Sequence, residues 1–264
     1  MRNPLTSETK KKRGRKARDQ VDVCQSAYWA WWVRHGLNMD FAKIERMLDP
    51  SCYVHMDDIG GYSQPQLWRK YGAGDTSPIG NGHSGKNAVE LAEEFCPGSK
   101  DVFHAVLWKL LRIKNPSEKQ LSQLAQNLSV EIQAELICLT KERCSLCDAI
   151  STLPKSQLDK LATHPHIDVL AVLLMRLQVE GDMLKQVELV ALITWWLNHS
   201  VILDATTRKV AHMLLPTLEE YQPLLGSLNS FIGIKHELPA KDHWDRAFRY
   251  IIFESNFTGL QSLQ

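Results

Sequence analysis

The sequence lacks any apolar run long enough to cross a bilayer. Its longest apolar stretches are Val169–Met175 and Val187–Leu203, and the second is interrupted by Glu188, Thr194, Asn198 and His199. A spanning helix needs roughly 20 consecutive apolar residues. Strand signals are missing too. No segment alternates apolar and polar side chains over a useful length, so an extended sheet is not expected. No unit of 30–45 residues repeats along the chain, although consecutive short helices would also suit a stacked array. The first residues carry no apolar signal segment. Six cysteines spread over 264 residues do not form a dense framework. They read as free thiols in a reducing compartment, and the expected location is the cytoplasm. The sequons at Asn198 and Asn256 then carry no information. No nucleophile, base and orienting residue fall into a recognisable grouping. No catalytic residue and no cofactor are therefore assigned, and an enzyme is not the expected class.

A large net charge is also absent over most of the chain. The net charge is +1, but its distribution is uneven. Residues 1–20 carry +6 and the remainder carries −5. The basic stretch is polar and nearly free of large apolar side chains, which predicts a disordered arm. Such an arm is attracted to polyanions. Hydrophobic residues make up 44% of the chain, enough to bury a core.

Helical periodicity dominates the rest. A helix is expected from about Val21 through "SAYWAWWVRHG", with Tyr28, Trp31 and Trp32 on one face and Gly36 as its stop. Asn38 should cap a second helix with the stripe Phe41, Ile44 and Leu48. Residues 50–62 read as irregular. "SQPQLWRKYG" reads as a short helix with Ser63 as cap and Gly72 at its end. A glycine-rich loop follows, and a helix restarts near Lys86 and stops at Cys96-Pro97-Gly98. Another helix is expected over 101–112. Ser117 and Gln120 have the spacing of a capping box ahead of Leu121, Leu124 and Leu128. "VEIQAELICLTKERCSLCDAI" reads as one helix. Further helices are expected near 155–162, 166–179, 184–198, 205–214 and 241–253. The two most apolar of them, around Leu170–Met175 and Val187–Leu203, look buried nearly all round.

"GNGHSGKN", from Gly80 to Asn87, nearly matches a phosphate-binding loop. Such a loop wraps phosphates with backbone N–H groups, uses a lysine for charge, and needs a Ser or Thr for magnesium. Asn87 holds that last place, and the preceding "GAGDTSPIG" cannot form the required strand. The stretch is read as a loop that opens a helix.

The segment "QLWRKYGAGDTSP" is similar to lambda-repressor and Cro-type helix-turn-helix proteins. There a recognition helix ends in a tryptophan, a glycine and then a proline; here these are Trp68, Gly72 and Pro78. The resemblance covers about residues 63–97 and implies that the helix faces the major groove. Gln64 and Gln66 would then pair with adenine and Arg69 with guanine or phosphate, while Lys70 and Lys86 would touch phosphate. The spacing between these landmarks is longer than in the family. The alternative reading is a surface helix anchored by Leu67, Trp68 and Tyr71. Residues 21–113 carry a net charge of −2, which is no basic footprint in itself.

In "KKKRGRKAR", Arg13-Gly14-Arg15 resembles the core of an AT-hook, with Lys16 where the family has proline. The resemblance implies that Lys11, Lys12, Arg13, Arg15, Lys16 and Arg18 contact DNA, with arginine in the narrow minor groove. A nuclear import signal, an RNA-binding tail or a solubilising tail are other uses of such a run.

Cys144-x-x-Cys147, with Cys138, His164 and His166 nearby, has some of the makings of a zinc site. The usual second pair is missing, and no metal is assigned. Trp29, Trp31 and Trp32 crowd one segment and Trp195 and Trp196 another; core packing is the expected role of most of them.

The expected architecture is all-α: a basic arm over 1–20, an N-terminal helical unit over 21–113 with a helix-turn-helix-like segment, and a C-terminal multi-helix bundle over 114–264. The leading functional reading is a DNA-binding regulatory or accessory protein, with DNA as partner through the arm and the Ser63–Tyr71 helix. A protein partner or a homodimer is expected through the bundle, and no membrane contact. The alternative is a helical protein–protein adaptor with no specific nucleic-acid role.

Overall fold

The computed structural model describes residues 18–48, 55–56, 61–62, 66–80, 86–140, 145–164 and 166–225. The fold is all-α. Thirteen helices occur among these residues, with one two-stranded ribbon. The helices are α1 (Gln20–Leu37), α2 (Phe41–Leu48), α3 (Leu67–Gly72), α4 (Ala88–Phe95), α5 (Ser99–Phe103), α6 (Val106–Leu110), α7 (Glu118–Ala125), α8 (Val130–Thr140), α9 (Leu146–Thr152), α10 (Lys155–Leu161), α11 (Ile167–Val179), α12 (Met183–Leu203) and α13 (Ala205–Tyr221). Between α2 and α3, β1 (His55–Met56) and β2 (Gly61–Tyr62) pair antiparallel, His55 opposite Tyr62. No described helix is long and apolar enough to cross a membrane.

α1 starts where Asp19 accepts the N–H of Val21 at 2.8 Å. It runs past Gly36 and stops at Leu37. The stop comes from Asn38, which enters the left-handed region at φ 50° and donates to the carbonyls of Arg34 and His35. Asparagine tolerates that conformation better than other residues with a Cβ. Asn38 therefore ends α1 rather than starting α2. The start of α2 belongs to Asp40, whose carboxylate accepts the N–H of Lys43 at 2.8 Å.

α1 is buried on two sides because it separates two apolar clusters. Val21, Cys24, Ala27 and Tyr28 join the larger cluster, which extends through α6–α13. Trp29, Ala30 and Val33 join the smaller one with Ile44, Trp68, Tyr71 and Phe103. Trp29 is the most enclosed of the three tryptophans; Trp31 and Trp32 are half-buried. Tyr28, Trp31 and Trp32 all meet the larger cluster, as their spacing predicts, while Trp29 is buried in the smaller one. Trp29 stacks on Trp68 at 5.0 Å and meets Tyr71 and Phe103 edge-on, both at 5.9 Å.

The larger cluster continues across residues 113–114, and α13 packs along α1. Three side-chain contacts tie these two helices: Cys24 Sγ to Thr217 Oγ1 at 3.2 Å, Tyr28 to Asp204 at 3.5 Å, and His35 Nδ1 to Thr206 Oγ1 at 3.0 Å. α11 is the centre of the bundle, with every residue from Val169 to Met175 buried. α12 is different. Leu189, Val190, Ile193, Trp196 and Leu197 face inward, but Leu184 is 77% exposed and Val187 43%. Its outer side is open, with Leu184 and Val187 beside exposed Lys185 and Glu188, against the expectation of burial nearly all round over Val187–Leu203.

Two expected helices are each split. The 101–112 helix is α5 and α6, broken at His104-Ala105, with Asp168 of α11 accepting the N–H of Val106 at 3.2 Å. The same carboxylate accepts the N–H of Ser129 at 2.8 Å, ahead of α8. One buried aspartate thus serves the starts of two helices, where the helix dipole favours negative charge. The long helix expected from Val130 to Ile150 is α8 and α9, with Ser145 capping α9 through the N–H of Asp148 at 3.1 Å. The capping box at Ser117 and Gln120 forms as its spacing predicts.

Candidate nucleic-acid interface

α3 follows from a short amphipathic pattern. Trp68 and Tyr71 are buried against α1 and α2, and Gln66, Arg69 and Lys70 are exposed. Leu67, expected as an anchor, is 37% exposed. Ser63, Gln64 and Pro65 lie outside the described residues. The start of α3 is held by Glu45, a buried residue of α2 whose carboxylate accepts the N–H of Leu67 at 3.0 Å. That carboxylate puts negative charge where the helix-turn-helix resemblance would bring DNA. The positive charge of α3 lies instead on its outer side, at Arg69 and Lys70. Among the described residues neither takes part in an ion pair.

Residues 1–17, including Lys11, Lys12, Arg13, Arg15 and Lys16, lie outside the described residues. Arg18 is described, and it is tied into the fold. Its guanidinium donates to the carbonyl of Gly74, to the carbonyl of Asp22 at 3.1 Å and to the hydroxyl of Ser26 at 3.0 Å. Gly74 follows α3 and has φ +74°, a conformation glycine adopts without penalty. A Cβ there would also lie 2.5 Å from Val23. The arm therefore joins the body beside the C-terminal turn of α3.

Next to that turn sits a basic and aromatic recess that the sequence reading did not identify. Trp31 Nε1 donates to the carbonyl of Gly72 at 3.1 Å. The ring of Phe41 closes on Gly72 so tightly that a Cβ would lie 2.6 Å from it. The Arg34 guanidinium lies 4.5 Å from the Trp31 ring and 5.1 Å from the Phe41 ring. Lys209 of α13 reaches within 5.6 Å of the Trp31 ring. Trp31, Arg34, His35, Asn38, Asp40 and Lys209 line a shallow recess. Burial pushes the imidazole of His35 below its ordinary value. The charges of Arg34, Lys209 and Arg208 add to that, against the pull of Asp204. Several cations thus converge here. The spacing of Trp31 and Arg34 at i and i+3 was a signal available in the sequence; Lys209 lies too far along the chain to have given one.

Lys86, expected to touch phosphate, pairs with Glu94 on α4. Asn87 accepts the N–H of Glu90 at 3.0 Å, and Glu90 returns a bond to the N–H of Asn87 at 3.0 Å. The start of α4 is closed by its own side chains; residues 81–85 of the glycine-rich stretch lie outside the described residues. Cys147 lies half-buried in the first turn of α9, Cys138 is exposed on α8, and Cys144 lies outside the described residues. His166 is the cap of α11, its Nδ1 accepting the N–H of Asp168 at 3.1 Å. Among the described residues, no three His, Cys, Asp or Glu side chains converge as a metal site would require.

The fold and this face define an all-α protein with a basic, aromatic recess beside the root of a basic arm. Comparison with protein-family models, curated proteins and solved structures gives no match.

Proposed function

We propose that the protein is a nucleic-acid-binding accessory factor, acting on DNA, in which the arm supplies affinity and the α3–α1 face supplies the docking surface. One observation carries this reading: Arg18 fastens the root of the arm to the turn after α3, beside exposed Arg69 and Lys70. Clustered cations gain affinity for a polyanion by releasing its counterions, so binding at this face is salt-dependent. Arg34, which lies against the Trp31 and Phe41 rings, presents a planar cation suited to phosphate. Glu45 at the start of α3 argues against end-on insertion of that helix. The docking is through its outer side, with phosphates rather than base edges, and sequence preference is modest.

The test is fluorescence anisotropy with a labelled DNA duplex across a salt series. The full chain is compared with a chain lacking residues 1–17, with Arg69→Ala/Lys70→Ala and with Arg34→Ala/Lys209→Ala. The deletion stops before Arg18, so that α1 keeps its anchor. Each variant should bind more weakly and show a flatter salt slope, by roughly one unit for each phosphate that is no longer neutralised. Weakening with the arm deletion alone would confine the interface to the arm. No binding by the full chain at low salt would overturn the proposal.

A further inference from the structure

Along α12, Lys185, Glu188, Leu189 and Leu192 stand at i, i+3, i+4 and i+7, which puts them on one helical face. Leu189 is buried and Leu192 half-buried, whereas Lys185 and Glu188 are exposed. This face does not close fully on its neighbours. Between it, the end of α11 and the start of α10 lies a cavity of about 230 Å³. Leu153, ahead of α10, and Leu158, within it, are buried and complete its apolar lining.

Two ion pairs shape the cavity. Lys155 of α10 meets Glu188 of α12 at 3.8 Å, so one pair joins the two walls. Arg176 of α11 donates to Glu180 at 2.6 Å, and this pair is largely enclosed, with side chains 13% and 8% accessible. Glu180 also accepts the N–H of Asp182 at 3.0 Å, and that bond, with Arg176, holds its carboxyl below the usual range. Each carboxylate lining the cavity is thus answered. The cations are not. Arg176 carries five N–H donors, and among the described residues only its bond to Glu180 is made. Its Nε is enclosed and meets no acceptor there. Lys185 makes no ion pair among the described residues. The lining as a whole holds three cations and two carboxylates, a net of +1.

We infer that this cavity binds a small aliphatic monocarboxylate, its carboxylate at Arg176 and Lys185 and its chain along Leu153, Leu158, Leu189 and Leu192. A guanidinium matches a carboxylate in both shape and charge. One negative charge balances the lining. A phosphate monoester, with a charge of about −1.5 to −2, would set excess charge beside Glu180. An amine would meet no carboxylate that lacks a partner. The volume lies below the range of about 300–1,000 Å³ usual for drug-sized ligands, so the chain is short, on the order of six carbons. This inference is independent of the nucleic-acid reading.

The test is a titration of the full chain with hexanoate, without nucleic acid, followed by backbone amide NMR shifts. The amides of Leu158, Arg176, Lys185 and Leu192 should shift together and saturate. Affinity should rise about fourfold for each methylene from butanoate to hexanoate. Hexanol and hexylamine, of the same length, should bind at least about tenfold more weakly. Lys185→Gln, a surface change, should weaken hexanoate about two- to threefold. Arg176→Met keeps the length of the side chain and leaves Glu180 the N–H of Asp182; it should weaken hexanoate at least about tenfold. Hexanol bound as tightly as hexanoate would overturn the inference, as would hexanoate binding that is unchanged in both variants. The absence of a saturating shift at these amides in the millimolar range would also overturn it. Tighter binding of an N-acetylated peptide ending in leucine would overturn it in favour of a protein C-terminus.

Discussion

Replacing Asp168 by alanine should destabilise the protein more than any other single change to its polar groups. The carboxylate is buried, 3% exposed, and accepts from Val106 N–H at 3.2 Å and Ser129 N–H at 2.8 Å. A hydrogen bond to a charged group contributes about 1.5–3 kcal/mol, and leaving a buried donor unmet costs about 1–3 kcal/mol. Val106 is fully buried and cannot regain water, whereas Ser129 is half-buried and recovers part of the loss. The expected cost is therefore about 3 kcal/mol, toward the lower end for two such bonds. Asp168→Asn keeps one acceptor oxygen but turns a donor amide toward the second N–H, and should cost about 2 kcal/mol. Equilibrium urea unfolding, followed by tryptophan fluorescence, reads the difference. With a slope of about 3 kcal/mol per molar, the alanine variant should shift the midpoint by about 1 M. A loss below about 1 kcal/mol would refute the idea that one carboxylate secures the starts of α6 and α8.

Two further outcomes follow from the packing and the charge of the α1 region. Trp29 is fully buried and, among the described residues, its indole N–H has no hydrogen-bond partner. Trp29→Phe should therefore cost under about 1.5 kcal/mol, because an unmet donor is removed together with part of the ring, while Trp29→Ala should cost about 3–5 kcal/mol; thermal unfolding of the pair distinguishes them. His35 is pushed below its ordinary value by burial and by neighbouring cations. The unfolded chain then binds the extra proton more readily, so stability is full above about pH 6.5 and falls as pH drops through the window below it. His35→Gln should flatten that fall in a pH series of unfolding midpoints. If the Arg34–Lys209 recess holds DNA phosphate, DNA should also raise the His35 titration midpoint, read by NMR.

The features legible in the sequence were those written in local spacing. Ser117 and Gln120 name a capping box three residues apart, and it forms. Leu121, Leu124 and Leu128 give a stripe, and all three are buried. What could not be read depended on distant partners. α1 shows no single stripe because both its sides are used, so the spacing of Tyr28, Trp31 and Trp32 marks one face and leaves the second, at Trp29, unmarked. The break at His104-Ala105 lies inside an apolar pattern and depends on an aspartate 62 positions away in sequence. Arg18 counted as one more charge in the arm, since its acceptor at Gly74 is 56 positions distant. Lys86 was offered to phosphate because Glu94 is too far along the chain to show as a neighbouring pair. Of the candidate interface, the exposed cations of α3 were visible, but the recess at Trp31, Arg34 and Lys209 needed α13 to be brought to α1.

That meeting of α1 and α13 has a consequence for how the chain acquires its structure. The pairs Cys24–Thr217, Tyr28–Asp204 and His35–Thr206 join residues 193, 176 and 171 positions apart. Pairings of such long range come late and slow the overall reaction, because the intervening loop must close first. On a ribosome, which adds about 5–20 residues per second, the first helix emerges some ten seconds or more before its partner exists. During that interval Cys24 and Tyr28 lack Thr217 and Asp204, although Trp108 of α6, 5.7 Å from the Tyr28 ring, is made much earlier. The first of the described helices thus waits for the last of them to complete its burial, and that interval is when the nascent chain has most need of a chaperone.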